Sequence, residues 1–190
     1  NITSIDADAS NDGHAGILKL AIPSMGYPGY SYQTCSLTHS LKTFIWDDIA
    51  SVRWIFMVPY NAATTNYVVK VGMTNGANSA WVKSVNNGAW QYQVNGSTVY
   101  TSTMYTSFNT TAWKTVLITN TGGGNCSISQ SWANNDFEWT QDTYQYTGAA
   151  LNLTGLFAPF IAIETNPSDV NPKELHVDYC QIKYNLNRRN

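Results

Sequence analysis

The clearest alternation of apolar and polar positions lies between residues 51 and 74, where it predicts two long strands joined by one loop. In a strand, every second side chain points to the same face. The first strand would therefore bury the set Val52, Trp54, Phe56 and Val58. The second would bury the set Tyr67, Val69, Val71 and Met73. We expect the two strands to form a central hairpin whose apolar face is covered by another layer.

Similar short patterns recur along the chain. About ten to twelve of them occur at a spacing of roughly 8–12 residues, which favours a sandwich or barrel. Asn87-Gly88 and Asn95-Gly96 are typical of tight hairpin turns, because both residue types tolerate a positive φ. No segment keeps a helical period over three turns, although residues 40–50 could hold one helical turn. The predicted fold is all-β, an antiparallel β-sandwich of two packed sheets with little helix.

The pattern also predicts how the chain is divided and which aromatic residues fill the core. We expect a lead-in over residues 1–15, one sandwich domain over 16–185 and a tail over 186–190. The segment 156–165, LFAPFIAIET, is almost continuously apolar, and its proline indicates an edge or a bulge. Apolar alternation assigns four aromatic residues to the core, namely Trp54, Phe56, Trp113 and Phe160.

Composition narrows the class of partner. Charged residues make up 12% of the chain, about half the usual share, so the surface must consist mainly of Asn, Thr, Ser, Gln and Tyr. Such a neutral polar surface suits hydrogen bonding and stacking with sugars. The net charge of −2 argues against nucleic acid, which requires a basic patch. No apolar run is long enough to span a bilayer, so we expect no membrane insertion.

Neither metal nor cofactor is expected. Asp8, Ser10 and Asp12 have the spacing of the first ligands of a calcium loop, but Lys19 stands where the closing glutamate belongs. The cysteines are not grouped as zinc ligands. Their odd number leaves at least one thiol free or bound to another chain, and the pairing stays open for Cys35, Cys126 and Cys180.

Three pieces of the chain together resemble a known family. They are an N-terminal GILKL strand, the pair SVRWIFMVP and NYVVKVGMTN, and a closing KELHVDYCQIKY. In this order they resemble concanavalin-like (laminin-G-like) jelly-roll domains of phage tail fibres and viral spike or fibre proteins, over roughly residues 16–184. The resemblance implies a virion-surface or extracellular domain, a glycan or glycoprotein receptor on the cell surface as its partner, and a homotrimer formed through a longer parent protein. It supplies no catalytic set.

Four tyrosines in polar, turn-rich stretches are the candidate ligand-binding residues: Tyr27, Tyr30, Tyr144 and Tyr146. A tyrosine ring offers a flat apolar face and a hydroxyl, which suits a pyranose ring. The alternative is that these rings only fill the ends of loops. The favoured function is therefore the binding of a cell-surface partner, a glycan above all, without catalysis.

Two other functions stay open. Asp136 and Glu138 share one strand face, and Glu164 is a further strand glutamate, so a glycan-active hydrolase of jelly-roll fold could use them as acid and nucleophile or base. No glutamate-bearing strand motif of a known jelly-roll glycosidase is present. The third possibility is a purely structural domain that mediates assembly.

Overall fold

The computed structural model describes residues 2–4, 17–22, 33–38, 44–58, 67–86, 88–103, 113–134, 138–151, 155–165 and 173–185, and structural statements below refer to these residues. Their strands, in chain order, are β1 Ile2–Ser4, β2 Leu18–Ile22, β3 Gln33–Thr38, β4 Phe44–Ile45, β5 Ile49–Met57, β6 Tyr67–Thr74, β7 Ser79–Val85, β8 Gln91–Val94, β9 Ser97–Thr101, β10 Lys114–Gly122, β11 Asn125–Asn134, β12 Glu138–Tyr146, β13 Leu156–Thr165 and β14 Lys173–Tyr184. A single turn of 3-10 helix, Trp46–Asp48, lies where the sequence allowed a helical turn.

The strands form two antiparallel sheets. Sheet A has the order β1-β2-β14-β5-β10-β11-β12, and sheet B has the order β3-β13-β6-β7-β8-β9, with β4 also paired to β13. The predicted all-β sandwich with little helix is confirmed. Two strands were not predicted, since β1 lies within the expected lead-in and pairs with β2, while β3 has a mostly polar sequence.

The predicted pairing of the two central strands is wrong. Strand β5 lies between β14 and β10 in sheet A, whereas β6 lies between β13 and β7 in sheet B. Their apolar faces meet across the core, where the indole Nε1 of Trp54 donates a hydrogen bond of 2.8 Å to the carbonyl oxygen of Gly72. Alternation specifies which face of a strand is buried, but it does not specify the neighbouring strand.

The core consists of the inward faces of both sheets. Trp54 and Phe56 are buried as predicted, and Phe56 packs edge-to-face on Trp90 with ring centroids 6.1 Å apart. Burying one such side chain contributes about 1.5–3 kcal/mol. The same layer contains the other buried residues of the central strands, Val52, Val58, Tyr67, Val69, Val71 and Met73.

The other two aromatic residues assigned to the core lie elsewhere. Phe160 is half-buried on the outward face of β13, because Phe157, Ile161 and Ile163 take the inward face, and Trp113 is also only half-buried. A nearly continuous apolar run does not reveal which alternate set points inward. The proline was expected to mark an edge or a bulge, but β13 is an interior strand, and its pairing with β6 continues through Pro159 without a bulge. On the other side of β13, Pro159 lies between the residues that pair with β4 and those that pair with β3.

Cys35, Cys126 and Cys180 all lie in the described residues, and none of them forms a disulfide. Cys35 and Cys126 are buried in different sheets, and burial raises the pKa of the Cys126 thiol to about 12. Within the described part of the chain, no helix is long and apolar enough to cross a membrane.

Candidate functional site

The outward face of sheet B carries aromatic, amide and charged side chains in rows that cross the strands. In β7, Ala80, Val82 and Ser84 point into the sandwich, so Trp81 and Lys83 point outward and are half-buried. The register continues this face across four other strands. One row consists of Phe160, Gly72, Trp81, Gln93 and Thr98. A second row consists of Ala162, Lys70, Lys83, Gln91 and Thr101. We call these ten positions the sheet B face.

Trp81 is the centre of the sheet B face and is held by a chain of hydrogen bonds. Its indole Nε1 donates to Oε1 of Gln93 at 2.8 Å. The Nε2 atom of Gln93 in turn donates to Oγ1 of Thr98 at 3.0 Å. Gln93 is only 6% exposed, so its amide is fixed beneath the surface. The indole ring is therefore oriented before any ligand arrives, which lowers the entropy cost of binding.

Phe160 extends the apolar part of this row. The rings of Trp81 and Phe160 lie 5.8 Å apart, tilted by 40°. Between their strands lies Gly72, where an added Cβ would come within 2.6 Å of the Trp81 Cα. No side chain could be accommodated at this position without a shift of the backbone. The backbone of β7 and the Cβ of Trp81 already occupy the space above this glycine.

Charged groups lie directly beside the aromatic pair. Lys70 Nζ bonds to Oε1 of Glu164 at 2.8 Å and lies 5.7 Å from the Trp81 ring centroid, within the range of a cation–π contact. Lys83 is the direct cross-strand partner of Lys70. The sheet B face thus combines a stacking surface with hydrogen-bond donors and cations, a combination suited to a polar ligand with a flat apolar side.

A separate polar group closes one side of the sandwich. The buried carboxylate of Asp142 accepts hydrogen bonds from the hydroxyls of Ser102 and Tyr100, the latter at 3.5 Å. The Tyr92 hydroxyl donates to the Asp142 backbone carbonyl at 3.2 Å. Asp142 belongs to sheet A and the three donors belong to sheet B or its end, so these bonds join the two sheets. Their role is to fasten the edge β12 to β8 and β9.

Two further polar side chains are buried in sheet A, on strands β11 and β10. Gln130 is the cross-strand partner of Asp142, is 5% exposed, and has no hydrogen-bond partner for either amide atom within the described residues. Lys114 is 3% exposed, and burial lowers the pKa of its ammonium group to about 7. Asp142, Gln130 and Lys114 make the core side of sheet A more polar than alternation alone would predict.

The predicted tyrosines fall in two places. Tyr144 and Tyr146 lie in β12 rather than in a loop, and both pack partly buried against the core. The ring of Tyr144 stacks on that of Tyr100, with centroids 5.2 Å apart and planes within 9°. Tyr27 and Tyr30 lie outside the described residues. The structure therefore places no described member of this set on the sheet B face, and their role in binding stays a prediction.

The candidate carboxylates are not assembled into one site. Glu138 belongs to β12 of sheet A, whereas Glu164 belongs to β13 of sheet B and is bound to Lys70. Asp136 lies outside the described residues, as does the segment from Asp8 to Asp12. Among the residues the structure does describe, no group of three or more His, Cys, Asp or Glu side chains could hold a metal ion.

The outward face of sheet A has a different character. Lys19 is paired with Glu174, whose second oxygen lies 3.5 Å from Nε2 of His176. Partial burial lowers the pKa of His176, and this effect outweighs the opposing effect of Glu174. Tyr179 is exposed, with the guanidinium of Arg53 5.9 Å from its ring centroid. This face contains an exposed aromatic ring but no second ring beside it in the described part of the chain.

Sequence reasoning missed the residues that build the sheet B face. The sequence-based candidates included neither Trp81 nor Gln93. A usable signal existed, because Trp81 alternates with the small or apolar set Ala80, Val82 and Ser84 and therefore shares its face with Lys83. A tryptophan on the polar side of a half-buried strand is a candidate ligand contact.

Comparison with known proteins gives the fold class. No protein-family model matches this chain, and no curated protein matches its sequence. Solved structures do match, at low identity. A protein of unknown function from Shewanella oneidensis MR-1 is 12% identical with a TM-score of 0.66, over 97% of this chain and 75% of that one.

Two other structural neighbours are named as proteins that bind or cleave carbohydrates. The catalytic domain of a GH131 β-glucanase from Podospora anserina is 11% identical with a TM-score of 0.60, over 96% of this chain and 78% of that one. Lectin I-B4 of Griffonia simplicifolia, in its metal-free form, is 10% identical with a TM-score of 0.55, over 98% of this chain and all of the lectin, 100%. The fold is therefore that of the concanavalin-like jelly rolls, which include both lectins and glycan-active enzymes.

Proposed function

We propose that this protein is a non-catalytic carbohydrate-binding domain and that the sheet B face is its binding surface. The observation that carries the proposal is the pair of half-buried rings, Trp81 and Phe160, with the indole fixed by Gln93. The C–H side of a sugar ring can stack on an indole, while its hydroxyls bond to amide and hydroxyl groups in the same rows. Gln91, Thr98 and Thr101 are available for those bonds.

Hydrolysis is less well supported than binding. Glycosidases of the common type require two carboxyl groups across the scissile bond, one as acid and one as nucleophile or base. On the sheet B face and its border, the structure describes one carboxylate, Glu164, and this group is neutralised by Lys70. Glu138 belongs to the other sheet. The lectin and the glucanase among the structural neighbours have the same fold and differ in function. Catalysis is disfavoured because Glu164, the one carboxylate described on the sheet B face or its border, is paired with Lys70.

The biological setting remains a proposal drawn from the sequence resemblance. A virion-surface or fibre domain, or another extracellular module, would meet a cell-surface glycan or glycoprotein. Single-site affinity for a sugar would be weak, about 0.1–1 mM, and display of several copies, for example in a homotrimer of the parent protein, would restore strength. The sequence that flanks this domain in its gene tests the setting, because a fibre shaft upstream would support it.

The binding function is tested with the domain multimerised on beads and applied to a glycan array. We expect binding to at least one glycan class, lost in Trp81→Ala and retained in Tyr179→Ala. Tyr179 is the matched control, because it is an exposed aromatic residue on the outward face of the other sheet. Unchanged binding by Trp81→Ala would place the binding surface elsewhere, with the tyrosines predicted from sequence as the next candidates.

A reducing-sugar release assay on the same glycans separates binding from hydrolysis. We expect no release. Release that is abolished by Glu138→Gln or Glu164→Gln would replace the proposal with the hydrolase. If the array shows no binding and the assay shows no sugar release, two functions remain: a purely structural assembly domain, or a domain that binds a protein receptor.

A further inference from the structure

We infer that the ligand of the sheet B face is an acidic oligosaccharide, with a uronate carboxylate bound at Lys83 while a sugar ring stacks on Trp81. This inference rests on the proposed function and adds the chemical class of the ligand. It departs from the expectation that neutral polar groups alone would account for binding, because the sequence did not show that two lysines lie together beside the tryptophan.

The charges of Lys70 and Lys83 in the second row favour an anionic ligand. Lys70 and Lys83 are direct cross-strand partners with both side chains outward. Like charges placed opposite each other destabilise a sheet. Glu164 compensates only Lys70, at 2.8 Å. Among the described residues, Lys83 has no acidic partner, so one positive charge stays uncompensated at this point of the face and would be neutralised by an anionic ligand.

The distance between Trp81 and Lys83 suits a ligand made of sugar units. Trp81 and Lys83 are separated by one residue on β7 and point to the same side, so their Cα atoms are about 6.6 Å apart. This separation is on the scale of one pyranose unit. A ring stacked on Trp81 would therefore bring its own carboxylate, or that of the next unit, within reach of the flexible lysine stem. Gln91, the cross-strand partner of Lys83, adds an amide donor beside the same point.

The number of charges on the sheet B face favours a uronate over a sulfated sugar. Among the residues that the structure describes, the face carries one cation without an acidic partner, Lys83, because Glu164 is paired with Lys70. A densely sulfated chain would bring several negative charges to this one cation, and most of its sulfates would gain no cationic partner among the described residues of the face. A sugar with one carboxylate per unit matches the charge of Lys83 better. The proposed ligand is therefore a uronate-containing oligosaccharide rather than a sulfated one.

The test compares each acidic oligosaccharide with its own carboxyl-reduced form, which keeps the linkage and removes only the charge. The probes are short oligomers of galacturonate, glucuronate and mannuronate, their reduced counterparts, and a sulfated heparin oligomer. Binding to the multimerised domain is measured by biolayer interferometry at low and high NaCl. We expect at least one uronate to bind about two- to fivefold more tightly than its reduced form, the range for a half-exposed ion pair, and this preference to fall with salt.

Two variants that each remove one positive charge test whether the carboxylate binds at Lys83. Lys83→Gln should abolish both the preference for the uronate over its reduced form and the salt dependence of that preference. Lys183→Gln removes one positive charge from β14 of sheet A and should change nothing. A preference that survives in Lys83→Gln would overturn the assignment of the carboxylate site.

The remaining outcomes distinguish this inference from the proposed function. Equal affinity for acidic and reduced oligomers would overturn the inference and leave the carbohydrate-binding function standing. Tighter binding of the heparin oligomer than of every uronate would overturn the choice of carboxylate. No binding to any oligomer, acidic or neutral, would overturn both.

Discussion

The indole of Trp54 in sheet A donates its hydrogen bond to the carbonyl oxygen of Gly72 in sheet B, at 2.8 Å within the core. The two residues lie on strands that follow one another in the chain but do not pair. The outward side of the same glycine has no room for a Cβ and forms the floor between Trp81 and Phe160. One backbone position therefore connects the core contact between the sheets to the candidate binding surface.

Trp54→Phe should destabilise the protein more than Trp81→Phe. The first change leaves the buried Gly72 carbonyl without its indole donor, which costs about 1–3 kcal/mol in addition to the lost volume. The second change removes the donor of a hydrogen bond to Gln93 that is only partly buried, because Trp81 lies half-buried on the outward face, and we expect a loss of less than about 1 kcal/mol. Urea unfolding of both variants measures the difference. Equal losses would contradict the structural importance of the contact between the sheets.

The inward set of β5 gives a second comparison. Phe56 is fully buried at 0% exposure, so Phe56→Ala should cost about 3–5 kcal/mol in urea unfolding. Phe160→Ala should cost much less, because its ring lies half-buried on the outward face beside Trp81. A loss below about 1 kcal/mol for Phe56→Ala would mean that the inward face of the strand is assigned wrongly.

The two phenylalanines also show how far the sequence could predict this fold. Period-two alternation was sufficient for Phe56, because polar or charged neighbours such as Arg53 mark the other face. It failed for Phe160, since an almost continuously apolar run gives no such mark. It also failed for the pairing of β5 with β6, because alternation constrains a strand's two faces and says nothing about its edges.

The candidate site was harder to predict than the fold. The sheet B face is assembled from β6, β7, β8, β9 and β13, which span about a hundred residues of sequence, and only the register brings their side chains into rows. Tyrosines were favoured because they lie among polar residues, yet Tyr144 occupies a strand and packs on Tyr100. Local polarity therefore did not separate a ligand contact from an edge residue that faces inward.

Tyr144→Ala should lower stability whether or not this residue contacts a ligand. Its ring stacks on Tyr100 and packs against the core, and aromatic pairs contribute about 0.5–1.5 kcal/mol beyond the area that they bury. Differential scanning calorimetry of Tyr144→Ala, with Tyr179→Ala as the exposed control, checks the loss of stability. A melting temperature unchanged in Tyr144→Ala alone would contradict the packing role.

The buried Lys114 should make stability depend on pH above neutrality. Burial lowers its pKa from the ordinary value near 10.5 to about 7 in the folded protein. Below about pH 7 the ammonium group is charged in both states, so the folded state bears the full cost of burying that charge. Between about pH 7 and 10 the unfolded chain binds one more proton than the folded protein, and stability must rise with pH.

The rise from about pH 6 to pH 9 should amount to about 2–3 kcal/mol, the value of two pKa units. It is measured by urea unfolding at several pH values and compared with Lys114→Met, which keeps a long side chain without the titrating group. Other groups titrate in both proteins, so the difference between the two curves isolates Lys114. We expect the variant to be the more stable protein at pH 6, with its advantage shrinking as pH increases. Parallel curves would show that Lys114 keeps its charge in the folded protein.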